Sequence, residues 1–151
     1  MQASAEALFR KAIENLVENR RREGEKLAAL VLDRLQQVES AVSATRQVLP
    51  VLMQQQRDRI ISRIEELDIE ADQGRLEQEL VFLAQKMDVA EELDRLESHL
   101  AEMRQVLDSN EPVGRRLDFL IQEFNREANT LSSKSQDIRT TQSAVDIKVL
   151  V

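Results

Sequence analysis

The chain contains very few residues that reverse a polypeptide or favour a β-strand. It has three glycines, two prolines and four phenylalanines, and it has neither tryptophan nor tyrosine. Strands depend on β-branched and aromatic residues, and the turns between them depend on glycine and proline. Charged residues make up 32% of the chain, as is typical of long helices. The sequence therefore predicts an all-α protein.

Several classes of protein are excluded by residues that the chain lacks. It has no cysteine, so it holds neither a disulfide framework nor a thiolate metal site or nucleophile. No apolar run approaches membrane-spanning length, and no signal-peptide segment is evident, which predicts a soluble protein without a membrane partner. It also lacks a glycine-rich phosphate loop and zinc-ligand spacing, and its aromatic residues are too few to stack against RNA bases.

The net charge of −7 is unevenly distributed. Residues 65–111 hold 15 acidic and 4 basic side chains, whereas residues 1–64 hold 8 and 11, and residues 112–151 hold 5 and 6. An acidic protein is not typical of strong nonspecific binding to nucleic acid, which usually involves a basic patch. An RNA site is still compatible with this charge if local arginines or metal ions meet the phosphates.

Apolar periodicity divides the chain into a long kinked helical arm, residues 1–72, and a C-terminal helical domain, residues 75–151. Residues 4–49 read as one very long helix or two, and Pro50 is expected to kink or end it because proline lacks the amide donor. Residues 18–26 contain no apolar side chain and are expected to cross solvent between two packed ends. We expect long antiparallel helices, as in a helical hairpin, followed by a small helical bundle.

Two apolar stripes mark the faces by which the first helix is expected to pack. Their members recur every three or four residues, as on one face of a helix. The first stripe is Phe9, Ile13, Leu16 and Val17, and the second is Leu27, Val31, Leu35, Val38 and Val42. The charge run from Arg20 to Glu23 between them is more typical of a solvated face than of a binding site.

Four helices are predicted in the C-terminal domain, at 75–87, 88–108, 112–131 and from about 136. The second carries a stripe that alternates steps of four and three, as in a coiled coil; its members are Val89, Leu93, Leu96, Leu100, Met103 and Leu107. Residues 109–112 supply a stop, a candidate N-cap and a proline suited to a first turn, and residues 132–135 are expected to loosen or end the next helix. The last pattern stops without a cap at Val151, and Met1 opens directly into helix, so we expect truncation at both ends.

The helix predicted at 88–108 carries Glu92, Arg95 and His99 along one edge of its apolar stripe. A histidine beside a carboxylate can act as a general acid or base, or ligate a metal. Ordinary ion pairs on a helix surface explain the same three residues, and this helix taken alone favours that interpretation.

The helix predicted at 112–131 is unusually rich in polar side chains. One edge carries Arg116, Glu123 and Glu127, the other carries Asp118, Asn125 and Asn129, and the side away from the stripe carries Arg115, Gln122 and Arg126. Like charges at i and i+4 destabilise a helix unless a cation is near. For Glu123 and Glu127 that cation is Arg116, Arg126 or a divalent metal such as Mg²⁺ or Mn²⁺. The alternative is a solvated face with Arg–Glu pairs, although asparagines in mid-helix favour a function.

Three blocks of the sequence resemble the C-terminal half of the YicC family. They are NRRREGEKL (19–27), DVAEELDRLESHL (88–100) and, most specific, GRRLDFLIQEFNREANT (114–130) with Ser133 and Lys134. The resemblance implies a cytoplasmic, stress-associated bacterial endoribonuclease that cleaves single-stranded or structured RNA with a divalent metal, and a ring-like homo-oligomer, a hexamer. It also implies an N-terminal domain of mixed α/β character and turns past Val151, neither of which is in this chain.

These expectations combine into one hypothesis for a site. The helices predicted at 88–108 and 112–131 pack side by side and join their polar edges. Glu92, Glu123 and Glu127 hold the metal, while His99, Glu92 and Glu123 are catalytic, His99 moving a proton to or from the attacking or leaving oxygen. RNA is contacted by Arg115, Arg116, Asn125, Arg126, Asn129 and Lys134. The alternative is a non-catalytic helical module for oligomerisation, RNA binding or regulation, which the long arm favours for its own part of the chain.

Overall fold

A computed structural model describes residues 2–66, 74, 77–78, 81, 89–109, 111–135 and 137–151. Regular secondary structure within these ranges is entirely helical, which confirms the predicted all-α class. The helices are α1 (Gln2–Glu66), α2 (Ala90–Leu107), α3 (Gly114–Lys134) and α4 (Ile138–Leu150). The long helix is followed by shorter ones, as expected. Of the helix predicted at 75–87, only residues 77–78 and 81 are described, and they are helical. None of the helices in the described ranges is long and apolar enough to cross a membrane.

Helix α1 runs without interruption through Pro50. The expectation that proline ends this helix is therefore wrong. Proline inside a helix removes one hydrogen bond and crowds the carbonyl four residues earlier, at a cost of about 3 kcal/mol. Leu49 packs against the core and Leu52 is buried, so tertiary contacts on both sides of Pro50 offset this cost.

One hydrophobic core joins the second half of α1 to the other three helices. Leu35, Val38 and Val42 of α1 pack in the same cluster as the predicted α2 stripe, which is confirmed by the burial of Val89, Leu93, Leu96, Leu100 and Met103. The remaining core residues lie on α3 and α4; they are Leu120, Phe124, Ala128, Leu131, Ala144 and Ile147. The second half of the predicted arm thus shares its core with the C-terminal helices.

The first apolar stripe of α1 is exposed. Phe9, Leu16 and Val17 are 69%, 58% and 61% exposed, so the expectation that both ends of α1 are packed is wrong for this end. The reason is length. A helix of 65 residues extends about 97 Å, whereas α2 and α3 extend only about 27 Å and 32 Å and cover only part of it.

The ends of α3 differ from the predicted ones. Val113 occupies the N-cap position without a side-chain cap, so the expected cap within residues 109–112 and the first-turn role of Pro112 are wrong. The carbonyl of Val113 instead accepts hydrogen bonds from the amides of Arg116 and Leu117, at 2.9 and 3.0 Å. At the other end the helix continues to Lys134, and the expected break occurs at Ser135, whose backbone is extended.

Exposed ion pairs connect α1 to α2 outside the core. Arg46 donates to Asp94 at 2.6 Å and to Glu97 at 3.1 Å. Arg104 donates to both carboxylate oxygens of Glu39, at 3.1 and 2.8 Å, and this hydrogen bonding holds the pKa of Glu39 below its usual value. Exposed pairs of this kind contribute roughly 0.2–1 kcal/mol each, so the apolar core and not these bridges holds α1 in place.

Leu96 lies fully buried at the centre of the core, whereas Leu8 is exposed on α1. We expect Leu96→Ala to lower the free energy of unfolding by about 2–5 kcal/mol, because the deletion leaves a cavity among close-packed side chains. Urea denaturation followed by circular dichroism measures the change, with Leu8→Ala as the matched control. Equal effects of the two substitutions would contradict the position of the core.

Asp137 caps the N-terminus of α4 with a carboxylate whose pKa is shifted by folding. Its carboxylate accepts hydrogen bonds from the side chain and the backbone amide of Arg139, both at 2.9 Å, and these bonds, the side-chain one first, hold the pKa of Asp137 below its usual value of 3.8. A lowered folded-state pKa adds stability above the unfolded pKa, and this stability is lost as the pH falls through the folded value. We expect Asp137→Asn, which keeps a capping oxygen, to lower the Tm near neutral pH.

The Tm difference between wild type and Asp137→Asn should then shrink as the pH falls below about 3.8 and through the lower folded-state pKa of Asp137, because both side chains are neutral below that folded-state value. Thermal melts of the two proteins across this range measure it. A difference that stays constant down to the lowest pH would show that the carboxylate charge does not contribute.

Candidate functional site

Helices α2 and α3 pack side by side and bring their polar edges together, as predicted. Arg95 Nε of α2 donates to Glu127 Oε2 of α3 at 2.9 Å. The ring of His99 meets the ring of Phe124 edge-on, with centroids 5.9 Å apart and planes at 68°. Because Phe124 is a fully buried core residue, this contact fixes His99 at the border between the core and the polar edge.

Three side chains along this seam form a candidate metal site: His99, Glu123 and Glu127. One possible ligand atom from each lies within 4.8 Å of the others. Glu123 and Glu127 come from successive turns of α3, and His99 comes from the facing side of α2. Glu127 is buried, whereas His99 and Glu123 are partly buried, so the cluster lies at the edge of the core.

Two buried polar atoms at this seam, His99 Nε2 and Glu92 Oε2, have no hydrogen-bond partner within the described part of the chain. A buried polar atom without a partner costs about 1–3 kcal/mol, so an unpaired one calls for an explanation such as a bound ion. An imidazole nitrogen with two carboxylates is a donor set that fits a divalent cation. The imidazole nitrogen suits transition metals, whereas the two carboxylates suit manganese and magnesium alike and magnesium prefers oxygen ligands throughout.

Glu92 is also buried, but its set of partners differs from that of the His99, Glu123 and Glu127 cluster. Its Oε1 accepts from Lys134 Nζ at 2.9 Å and from Arg95 Nη2 at 3.2 Å. A buried carboxylate is tolerated only when it is paired, and these two cations supply the pairing. Glu92 lies outside the cluster of three, so its roles as ligand and as catalytic residue remain predictions.

Arg95 is the residue whose importance sequence reasoning missed. Its guanidinium donates to Glu91 at 2.7 Å, to Glu92 at 3.2 Å and to Glu127 at 2.9 Å. These interactions, the hydrogen bond to Glu127 foremost, raise the pKa of Arg95 above its usual value. The spacing of residues on α2 predicts that Arg95 can bond to Glu91 and Glu92. A bond to Glu127 cannot be predicted in this way, because Glu127 lies on a different helix, α3.

The four basic residues predicted to bind RNA have different surroundings. Arg116 pairs with Glu102 of α2 and lies over the ring of Phe119, 5.3 Å from its centroid, so it is not the cation beside Glu123 and Glu127. Lys134 binds Glu92. Arg126 is exposed, with Nη1 3.3 Å from Glu123 Oε2, and Arg115 is exposed as well. Arg115, Arg116 and Arg126 are all exposed, but Arg116 is held against α2 by Glu102.

The two asparagines predicted to bind RNA also differ. Asn125 donates from Nδ2 to the carbonyl of Ile121 at 3.1 Å, a bond within its own helix. That bond gives a local reason for an asparagine in mid-helix. Asn129 is exposed, on the turn that follows Arg126.

Comparison with known proteins agrees with the three blocks of resemblance. The chain is 43% identical over 143 residues to a Haemophilus influenzae protein named probable endoribonuclease YicC, a match that covers 95% of this chain and 50% of the relative. It is 34% identical over 140 residues to a Clostridioides difficile protein of the same name, covering 91% and 48%. The chain thus spans about half the length of the curated relatives it matches. The family model "Endoribonuclease YicC-like, C-terminal" matches residues 45–151, most of the chain, and the chain therefore belongs to the YicC-like family.

Proposed function

We propose that this chain carries the catalytic site of an endoribonuclease, and that His99, Glu123 and Glu127 hold a divalent cation in it. The observation that carries the proposal is the convergence of these three side chains from α2 and α3. The reaction is suggested by the relatives, both of which are named probable endoribonucleases. Manganese suits the mixed nitrogen and oxygen donors better than magnesium does.

A divalent cation bound here would polarise a phosphoryl oxygen and lower the pKa of a bound water. The protein's contribution is to fix the donors: Phe124 orients the ring of His99, and Arg95 holds Glu127. Because Glu92 lies outside the cluster of three, we assign the third ligand position to His99. The other role for His99 is to carry a proton to or from the attacking or leaving oxygen, and experiment separates the two.

RNA is proposed to approach along the exposed face of α3. Arg115 and Arg126 are 11 residues apart, a separation that returns to the same side of a helix after about 16 Å. The contact of Arg126 with Glu123, one of the three proposed ligands, supports this path. Arg115 and Arg126 would bind phosphates, with Asn129 alongside, whereas Arg116 and Lys134 would act by holding Glu102 and Glu92 in place.

The exposed end of α1 favours a second candidate function, a non-catalytic helical scaffold that joins copies of the chain. Leu8, Phe9, Ile13, Leu16 and Val17 are 45–70% exposed. Apolar surface of this kind is typical of protein–protein contacts. A chain that forms concentration-dependent oligomers in sedimentation but neither binds nor cuts RNA would favour this function. The hexamer implied by family resemblance stays a prediction.

The first test of the proposed site is cleavage of a labelled RNA by the chain. We expect cleavage with manganese that EDTA abolishes, and losses of more than about 100-fold in rate for Glu123→Gln and Glu127→Gln, since substitutions outside the ligand set already cost 10–100-fold. Glu39→Gln is the matched control, because Glu39 is exposed and pairs with Arg104 away from the site. Unchanged rates in the two ligand variants would contradict the site.

The cleavage assay, combined with a measurement of manganese binding, tests the role of His99. If His99 is a ligand, His99→Ala loses both manganese binding and cleavage; if it carries a proton, the variant still binds manganese and loses about 10²–10⁴-fold in rate. Where the chain binds RNA without cutting it, the variants are assayed again with the unmatched half of the Haemophilus influenzae relative joined to the chain. Cleavage only in the joined protein would show that the site needs that half.

The second test concerns the RNA path. We expect the double substitution of Arg115 and Arg126 to glutamine to weaken RNA binding and to reduce the slope of log K against log salt by about 0.7 for each lost phosphate contact. Fluorescence anisotropy with a single-stranded RNA at several salt concentrations measures the slope. The control is the double substitution of Arg20 and Arg21, exposed arginines on α1. Equal slopes for the two double variants would exclude the α3 face as the RNA path.

A further inference from the structure

We propose that Arg95 is a positioning residue that holds Glu127 in the orientation needed to bind the cation. This inference rests on the proposed function and names a residue that acts through a ligand. Arg95 is not among the three side chains of the cluster, and its Nε bond to Glu127 Oε2, at 2.9 Å, links it to that cluster directly.

The geometry of Arg95 is set by its neighbours on both sides. Nη1 donates to Glu91 at 2.7 Å and Nη2 donates to Glu92 at 3.2 Å, so two donors are anchored on α2 while Nε faces α3. Glu92 is in turn held by Lys134 Nζ at 2.9 Å. Because a guanidinium is a rigid planar fork, anchoring two of its nitrogens fixes the direction of the third. Lys134, Glu92, Arg95 and Glu127 thus form a chain of contacts that orients the Glu127 carboxylate.

Burial makes this chain of contacts necessary. Glu92 and Glu127 are each only 1% exposed, so bulk water cannot hold their carboxylates. The direction of Glu127 therefore depends on protein partners, and Arg95 is the partner that crosses from the other helix. Side chains that orient a metal ligand typically contribute a factor of about 10–100 to metal affinity.

Removal of Arg95 changes the affinity for the cation in opposite directions, depending on whether Arg95 acts by positioning Glu127 or only through its charge. Arg95 carries a positive charge beside the proposed cation, and like charges repel. If Arg95 acted only through its charge, its removal would strengthen cation binding. If Arg95 positions Glu127, its removal weakens cation binding despite the lost repulsion.

The test is manganese binding by the chain, followed through the electron paramagnetic resonance signal of free Mn²⁺. We expect Arg95→Gln and Arg95→Lys each to raise the Kd by about 10–100-fold, because lysine keeps the charge but cannot form the fork. Arg104→Gln is the matched control: Arg104 lies on the same helix, is 42% exposed against 38% for Arg95, and pairs with Glu39 outside the cluster. Circular dichroism at the binding temperature verifies that each variant is folded, and Arg95→Lys keeps the buried acids neutralised if Arg95→Gln unfolds.

The outcomes separate this inference from the proposed function. The condition for testing the positioning role is that Glu127→Gln loses manganese binding. The role is then overturned if the Arg95 variants bind manganese as tightly as wild type or more tightly, or if Arg95→Lys alone keeps wild-type affinity. A loss of affinity in Arg104→Gln equal to that in Arg95→Gln overturns it as well. Wild-type affinity in Glu127→Gln, or no manganese binding by the wild-type chain, overturns the cation site and the positioning role together.

Discussion

The seam between α2 and α3 buries two carboxylates, and the arrangement of the surrounding residues depends on how their charges are neutralised. Glu92 and Glu127 lie almost wholly out of water, where an unpaired charge costs several kcal/mol. Arg95 bonds to both, and Lys134 adds a second cation at Glu92. These bonds fix the register of α2 against α3, and that register places His99 beside Glu123 and Glu127.

The seam lies on a core that apolar periodicity describes well. The stripe of α2 is buried as predicted, because a 3.6-residue repeat is readable from sequence. The α3 residues buried with it are Leu120, Phe124, Ala128 and Leu131. The region matched by the family model, residues 45–151, contains α2, α3 and α4. The exposed first half of α1 lies outside that region, which separates the proposed site from the proposed scaffold surface.

Three of the features that sequence reasoning missed depend on contacts between helices. Spacing puts Glu127 on a polar edge of α3, but the residue is buried, and the cation that pairs with it, Arg95, comes from α2. Lack of an amide donor at Pro50 predicts a kink or an end in α1, and the helix does not end there, since Leu49 packs against the core and Leu52 is buried. Arg116 is one of three cations that the spacing allows beside Glu123 and Glu127, and it binds Glu102 instead. Spacing within a helix gives its faces, whereas pairing of faces requires the tertiary structure.

A divalent cation bound by His99, Glu123 and Glu127 is what the proposed activity requires. His99 is the single histidine of the chain, so it is the only possible source of an imidazole ligand. The most direct measurement is electron spin echo spectroscopy of the manganese-loaded chain in a buffer free of imidazole. The account predicts the modulation of a directly bound imidazole nitrogen, lost in His99→Ala. Manganese bound by the chain without any nitrogen modulation would contradict it.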